Sequence, residues 1–444
     1  MKMIVRDLDR TREQLARLLD EAHTDEAGNL SEVAAQILKQ RADLLAAAAR
    51  HETPFYLFDR PGFREALWQF AQVFGSHLPQ HRPFYAVKSN HHPWVVQEAV
   101  AQGYGLDVSS GRELHQALHS AAQQIVFSGP AKSIADHELA LQHADRVIIN
   151  LDSHGELARL GAATERSGRA IRAGVRICTQ HHGAWSKFGI PLSELGSLWR
   201  AAQRHPLVQL VGIQSHLSWN RDARPYERLI AELGQYLASE FSAQERAAIQ
   251  FIDLGGGFRP HRLEGYFPWD HPVGTLARTA AEHFGESTEF VHDYYLKDSV
   301  PLLSYAERIG AAIATHLAPL VDCAYYTEPG RVVSTHSMHI LLRVVDRKSD
   351  GLVIVDGGIN MVGWERYLHI YCPVVNLTHP ALTEIPVRIG GSLCDCEDVW
   401  GSHCFAERIE EGDVLIVPYQ GAYTFCVAQN FIRSIPLVHE LTGG

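Results

Sequence analysis

The 444-residue sequence contains no apolar run of about 18 residues, so no membrane-spanning helix is expected. It has no basic tract either: 40 Lys and Arg against 51 Asp and Glu give a formal net charge of −11, which argues against nonspecific nucleic-acid binding. The opening residues, MKMIVRDLDRTREQ, lack the apolar core of a secretion signal, so a cytoplasmic location is expected by default. With 46% hydrophobic and 20% charged residues, the chain can bury a sizeable core.

Cysteine is scarce and irregularly spaced. An odd number of cysteines without a secretion signal favours free thiols over disulfides. Cys394 and Cys396 with Cys404 have no matching second ligand pair, so no metal site is expected. The seven cysteines are Cys178, Cys323, Cys372, Cys394, Cys396, Cys404 and Cys426.

The hydrophobic pattern divides the chain into three parts. Residues 1–52 have apolar side chains at three- and four-residue spacing and are predicted to form a helical extension, with Ser31 as an N-cap. In residues 53–334, β-rich runs alternate with helical stretches, which favours a (β/α)8 TIM barrel; an open doubly wound sheet, usually with fewer strands, is the alternative. Residues 335–444 predict a mostly antiparallel β domain. The predicted barrel strands contain residues 84–87, 106–108, 125–129, 147–151, 173–177, 210–216, 251–257 and 324–330.

Polar residues follow these predicted strands, at the end of the barrel where active sites of this fold lie. Lys88, in FYAVKSN, could anchor a cofactor that carries an aldehyde, although a strand-end lysine is more often a solvated cation. Glu328 and Arg331, in EPGR, could hold the other side of such a cofactor. Chance does not readily place an amine, an imidazole, a glycine turn and an acid–arginine pair at successive strand ends. The polar strand ends are Lys88, Asp107, Ser128, Asn150, Arg176, His216, Gly255–Gly257, Glu328 and Arg331.

Nine short strings occur in a familiar order and approximate spacing: YAVKSN, LDVSSGRE, SKFG, IQSHL, DLGGGF, EPGR, DGGIN, CDCED and GAYT. On these motifs, from about residue 53 onward, the chain resembles the fold-type III pyridoxal-phosphate amino-acid decarboxylases, which include ornithine, diaminopimelate and arginine decarboxylases. The resemblance implies an alanine-racemase-like barrel, pyridoxal 5'-phosphate as cofactor, and a homodimer with shared active sites.

The resemblance also implies residue roles. Lys88 would form a Schiff base with the cofactor, and Glu328 would keep the pyridine nitrogen protonated so that the ring accepts the electron pair left by CO2. His216 would stack on the ring, and the glycine string would let backbone N–H groups approach the phosphate. A core histidine, a simple tight turn and barrel-stabilising polar residues are the ordinary alternatives. The implied cofactor-binding residues are Lys88, Asp107, Arg176, His216, Gly255, Gly256, Gly257, Glu328, Arg331 and Tyr423.

The C-terminal domain supplies further candidates. In the resembling enzymes, Cys394, Asp395, Asp398 and Tyr423 would come from the neighbouring subunit. Cys394 would protonate the substrate carbanion after CO2 loss, and Asp395 would contact a distal ammonium group. Asp398 and Arg366 are the other implied substrate-binding residues.

The chain departs from the family pattern in two places. After His216 the family has Gly-Ser, whereas this chain has HLSW, which displaces Ser218 and introduces Trp219. The segment from Asp356 to Arg366 is longer than in the diaminopimelate type, so recognition of a distal carboxylate stays open.

These features predict a pyridoxal-phosphate-dependent decarboxylase of an amino acid with a basic or amine-bearing side chain. An amino-acid racemase is one alternative, but a racemase of this fold is expected to have an arginine where Glu328 stands. A non-catalytic pyridoxal-phosphate-binding protein of vitamin B6 homeostasis is another, although such proteins usually lack the appended β domain.

Overall fold

Strands and helices alternate through the central part of the chain and give way to strands alone near the C-terminus. The computed structural model describes residues 8–20, 28–182, 187–267, 272–285, 294–296, 299–363 and 369–442. The helices are α1 (Leu8–Asp20), α2 (Ser31–Leu38), α3 (Arg41–Arg50), α4 (Arg60–Gly75), α5 (Pro93–Ala101), α6 (Gly111–Leu118), α7 (Ile134–Gln142), α8 (His154–Ser167), α9 (Leu195–Ala201), α10 (Arg224–Glu240), α11 (Ala243–Ala247), α12 (Pro272–Phe284), α13 (Leu302–His316) and α14 (Arg331–Ser334). The strands are β1 (Phe55–Phe58), β2 (Arg82–Ala86), β3 (Gly105–Val108), β4 (Ile125–Phe127), β5 (Val147–Leu151), β6 (Ile171–Cys178), β7 (Ile190–Pro191), β8 (Val208–Gln214), β9 (Phe251–Asp253), β10 (Gly265–Tyr266), β11 (Tyr295–Leu296), β12 (Ala324–Thr327), β13 (Met338–Ser349), β14 (Leu352–Val355), β15 (Val375–Asn376), β16 (Glu384–Gly390), β17 (Val399–Phe405), β18 (Val414–Val417) and β19 (Val438–Glu440).

A parallel barrel forms the centre of the molecule. Its strands pair in the order β2, β3, β4, β5, β6, β8, β9 and β12, and β12 pairs with β2 to close the ring. Each predicted barrel run contains one of these strands, so the (β/α)8 prediction is confirmed and the open-sheet alternative is wrong. Because parallel strands in a closed ring all end on the same side, the polar residues after them converge there.

Aromatic side chains fill the barrel interior below that end. Phe251 stacks on Tyr326 with ring centroids 4.6 Å apart, and Phe84 lies 4.7 Å from the same tyrosine. Gly212 makes room for this packing, because a Cβ on it would lie 2.1 Å from the Phe251 ring. The interior is therefore packed with apolar side chains below the polar strand ends.

The C-terminal part forms a second, mostly antiparallel sheet, as predicted. Its strand order is β14, β16, β17, β15, β18, β13, β1 and β19. The predicted boundary at residue 53 is wrong by one strand, because β1 pairs with β13 and β19 rather than with the barrel. Only pairing between distant segments assigns β1 to this sheet, and a four-residue apolar strand does not reveal its partner.

The N-terminal extension is helical, as predicted. Buried side chains of α2 and α3, among them Val33, Ile37 and Leu44, pack in one apolar cluster with Leu341 and Ile416 of the C-terminal sheet. The predicted N-cap is wrong by one residue: Leu30 is the N-cap of α2. Among the described helices, none is both long and apolar enough to cross a membrane.

Candidate active site

Lys88 lies just beyond β2 and pairs with a buried carboxylate. Its Nζ donates to Asp107 Oδ2 at 2.9 Å, and Asp107, on the neighbouring strand β3, is fully buried. Burial alone would lower the pKa of Lys88, but the negative charges of Asp107 and Glu328 raise it above its usual value. Burial and the charge of Glu328 raise the pKa of Asp107, and Lys88 opposes that rise. The structure thus holds an ammonium and a proton acceptor in direct contact.

Glu328 follows β12 on the other side of β2. His216 Nδ1 lies 3.1 Å from Glu328 Oε2, and Gln214 Nε2 donates to Glu328 Oε1 at 3.2 Å. Burial alone would raise the pKa of Glu328, yet the hydrogen bond with His216 and the charge of Lys88 help to lower it to about 2. Burial lowers the pKa of His216, so its imidazole is neutral at neutral pH. Glu328 is therefore an ionised carboxylate at the barrel mouth.

Asp253, the last residue of β9, is a second buried acid at this point. Its Oδ1 accepts a hydrogen bond from the Gly255 backbone N–H at 2.9 Å. Burial and the charge of Glu328 raise the pKa of Asp253 well above its usual value. Burial and the nearby charge thus favour the protonated form of Asp253 beside the ionised Glu328.

Gly255, Gly256 and Gly257 form a turn directly after β9. Gly255 and Gly257 have φ values of +70° and +90°, in the left-handed region that favours glycine. A Cβ on Gly256 would lie 2.3 Å from the Glu328 carbonyl oxygen, and one on Gly257 would lie 1.9 Å from the Leu217 carbonyl oxygen. Only glycine fits between these neighbouring loops, and the Gly256 N–H lies 3.2 Å from His216 Nδ1.

Arg331 and Tyr423 lie together at the same mouth. The Arg331 Cζ is 5.0 Å from the Tyr423 ring centroid. The Tyr423 backbone N–H donates to the Ser89 carbonyl oxygen at 2.8 Å, next to Lys88. The expectation that Tyr423 reaches the site from a neighbouring subunit is therefore wrong, because the loop that carries it packs on Lys88 of its own chain.

Arg176 lies on β6 at the same end of the barrel. Its guanidinium carbon is 4.5 Å from the ring centroid of Phe188 in the SKFG string. Burial raises the pKa of Asp152, and the positive charge of Arg176 opposes that rise. The guanidinium thus lies against an aromatic ring, and its charge acts on a nearby carboxyl group.

The remaining C-terminal candidates are not brought together with Lys88. Cys394 is exposed in the loop between β16 and β17, and Asp395 accepts a hydrogen bond from the Glu397 backbone N–H at 2.8 Å. Asp398 is buried, and its two oxygens accept from the backbone N–H groups of Ile359 and Leu393 at 2.8 and 2.6 Å. Asp398 thereby joins its own loop to the segment that follows β14. Arg366 lies outside the described residues.

These residues fit a cofactor with an aldehyde, a ring nitrogen and a phosphate. Lys88 supplies the amine, Glu328 the carboxylate, and the glycine turn with Arg331 the donors for an anion. Asp107 Oδ1 is buried and accepts no hydrogen bond within the described part of the chain. This oxygen can therefore accept a hydrogen bond from a bound polar group.

Two functional candidates were not recognised from the sequence. Asp253 and Gln214 lie inside the quoted motifs DLGGGF and IQSHL. The sequence shows an acid shortly before the three glycines and an amide side chain shortly before His216, and either could have indicated a site residue. Their roles depend on side-chain direction, which the strings themselves do not specify.

The comparisons with known proteins agree with this geometry. A sequence model described as "Pyridoxal-dependent decarboxylase, pyridoxal binding domain" matches residues 64–335. The diaminopimelate decarboxylase of Methanothermobacter thermautotrophicus is 25% identical over 88% of this chain and 86% of that protein. The diaminopimelate decarboxylase of Helicobacter pylori complexed with L-lysine has a TM-score of 0.72 and 21% identity, covering 90% of this chain and 94% of the other. The lysine/ornithine decarboxylase of Vibrio vulnificus complexed with putrescine has a TM-score of 0.69 and 19% identity over 90% of this chain and 98% of the other.

We expect the purified protein to be yellow and to carry its cofactor on Lys88. Reduction with borohydride followed by peptide mapping should place the pyridoxyl group on that residue. Lys132 is the internal control: it is also buried near a barrel strand end, but its Nζ is paired with Glu156 at 2.8 Å. Labelling of Lys132 in place of Lys88 would contradict the assignment.

Proposed function

The chain belongs to the pyridoxal-dependent decarboxylase family, and we propose that its substrate is an amino acid with a second amino group. The enzyme is a carboxy-lyase that uses pyridoxal phosphate to remove CO2 from an amino acid. We assign the central role in that reaction to Glu328, whose ionised carboxylate at the last strand end is the observation that carries the proposal.

The substrate class is supported by the relatives and by one acid of this chain. Several of the similar proteins are named for diaminopimelate, lysine or ornithine, all of which have two amino groups. Asp395 is half-buried in the loop that carries Cys394, where a carboxylate suits a distal ammonium. A basic or diamino acid is therefore the substrate class that we propose.

Pyridoxal phosphate, when bound, supplies a protonated pyridine ring that accepts the electron pair released as the bond to the carboxylate breaks. Glu328 would hold the proton on the ring nitrogen, because an ionised acid stabilises a positive charge beside it. Gln214 and His216 would keep Glu328 in place through their hydrogen bonds. An arginine at position 328 would instead disfavour that proton, which is why the acid favours decarboxylation over racemisation.

Lys88 must lose a proton before its amine can react with a carbonyl carbon. Asp107 Oδ2 is 2.9 Å from Lys88 Nζ, and burial raises the pKa of Asp107, so this oxygen can hold the proton that Lys88 gives up. The same contact orients the amine towards the centre of the barrel mouth. We assign Asp107 the role of proton acceptor for Lys88.

We further propose a homodimer in which Cys394 and Asp395 complete the active site of the other subunit. Cys394 is exposed in the single chain. Exposure is expected of a residue that reaches into the active site of the other subunit. Four exposed apolar side chains on one C-terminal stretch, which a second subunit would cover, support this arrangement. They are Val427, Phe431, Ile432 and Leu437. The Cys394 thiol would deliver the proton that replaces the carboxylate at the α-carbon.

A non-catalytic role in vitamin B6 homeostasis is disfavoured by the second sheet, which places Tyr423 against Lys88. We also propose a cytoplasmic location, which the free state of all seven cysteines supports.

The substrate proposal is tested by CO2 release from a panel of L-, D- and meso-diamino acids and their mono-amino counterparts, with the product amines identified by mass. We expect release from at least one diamino acid and little from a counterpart without the distal amine. Preferential release from a mono-amino or acidic substrate would refute the proposed substrate class, and pyridoxal phosphate binding with no CO2 from any amino acid would favour the homeostasis role.

We expect Glu328→Gln to lower kcat by about a hundredfold or more while pyridoxal phosphate stays bound. The neutral amide keeps the shape of the side chain but no longer stabilises the protonated ring, which the transition state needs more than the bound substrate does. The check is to measure kcat, cofactor occupancy and melting temperature on the same preparation. A variant with full occupancy, unchanged stability and near-wild-type kcat would remove Glu328 from the mechanism.

The shared site is tested by mixing two inactive variants, Lys88→Ala and Cys394→Ala. Random pairing puts both lesions into one of the two sites of each mixed dimer, so about a quarter of wild-type activity should return. Mixing Lys88→Ala with Glu328→Ala is the control and should restore nothing, since both residues belong to the same barrel. No recovery despite proven subunit exchange would mean that each chain builds its own site.

A further inference from the structure

Trp219 has an unusual backbone and an unusual environment. It lies three residues after His216, has a φ of +61°, and keeps 60% of its surface exposed. Bulky side chains rarely adopt this left-handed conformation, and they persist in it only where the surroundings hold them there. Burial of the indole does not account for the strain, because most of the ring is outside the core.

Tyr423 shares this property. Its φ is +54°, again in the left-handed region, although it comes from the other domain. Both aromatic rings contact the same cation: the Arg331 guanidinium carbon lies 4.8 Å from the Trp219 ring centroid and 5.0 Å from the Tyr423 ring centroid. Two strained aromatic residues from separate segments therefore meet at one arginine.

This arginine lies beside the glycine turn. The segment that carries Trp219 is joined to the turn, because the Asn220 backbone N–H donates to the Gly257 carbonyl oxygen at 3.0 Å. Glu264, which pairs with Arg259 at 2.7 Å, is 3.8 Å from Arg331. A guanidinium held against aromatic rings and beside an acid has fewer orientations open to it, so less freedom is lost when it binds an anion.

We propose that Trp219 and Tyr423 are positioning residues that hold the Arg331 guanidinium for the phosphate of the cofactor. Trp219 stands in the string HLSW, where the chain departs from the Gly-Ser pattern of the family, and it gives Arg331 an aromatic contact there. The inference rests on the proposed role of Arg331 and of the glycine turn in binding the cofactor.

The experiment measures the dissociation constant for pyridoxal phosphate by equilibrium dialysis of the holoenzyme and of three Trp219 variants. Trp219→Leu keeps a bulky side chain at the same strained position but loses the π face, and its dissociation constant should rise about tenfold. Trp219→Phe keeps a ring and should stay within about threefold of the wild type. Trp68→Leu is the matched control, because Trp68 is 53% exposed on α4, and its binding should be unchanged.

Trp219→Gly separates positioning from a purely structural role. Glycine adopts a φ of +61° without strain, so this variant should melt no lower than the wild type at saturating cofactor, while its dissociation constant rises as in Trp219→Leu. A lower melting temperature together with weaker binding would assign Trp219 to the fold and overturn the proposal.

Arg331→Ala distinguishes the possible failures. If Arg331→Ala weakens pyridoxal phosphate binding and Trp219→Leu does not, the positioning role is wrong and the cofactor role of Arg331 stands. If Arg331→Ala has no effect on the dissociation constant, the premise fails and the inference fails with it. Both results are read from binding alone, so they are independent of whether the enzyme releases CO2 from a diamino acid.

Discussion

The pairing of charged groups at the ends of the barrel strands is the constraint on which this structure depends. A buried ammonium or carboxylate costs several kcal/mol unless a partner lies within hydrogen-bond distance. Lys88 and Asp107 satisfy each other at 2.9 Å, and Glu328 is satisfied by His216 and Gln214. Each charge and its partners lie at the ends of different strands, so neighbouring strands have to pair before the charges are compensated.

Close packing against neighbouring loops explains why the turn after β9 consists of glycines. The backbone of the turn passes against the loops after β8 and β12, and the Glu328 backbone N–H donates to the Gly255 carbonyl oxygen at 2.8 Å. The turn thereby connects the Glu328 backbone to Gly255, whose own N–H donates to Asp253 Oδ1. The C-terminal domain also contacts this end of the barrel. Asn90 Nδ2 donates to the Gly421 carbonyl oxygen at 2.9 Å, and this hydrogen bond holds the loop that carries Tyr423 at the barrel mouth.

Local pattern was sufficient for the barrel and for most of the residues around Lys88. Alternating β and helical runs predict barrel strands whose carboxyl ends lie at one end of the barrel. The sequence pattern therefore places Lys88, His216 and Glu328 together at that end. The pattern was insufficient for β1, because a short apolar strand fits either sheet. It was insufficient for Asp398 as well, since a motif match does not reveal that both carboxylate oxygens are engaged by backbone N–H groups.

The sequence by itself determined the order of the elements, the chemistry at each strand end and the family, because these depend on residue type and spacing along the chain. Which groups are ionised depends on the tertiary structure, since burial and the charge of Glu328 raise the pKa of Asp253, whereas His216 and Lys88 lower the pKa of Glu328 against the effect of burial. Tertiary structure also decided that Tyr423 approaches Lys88 within one chain and that Trp219 contacts Arg331. Burial and distance between remote segments control these properties, and neither is encoded in a local string.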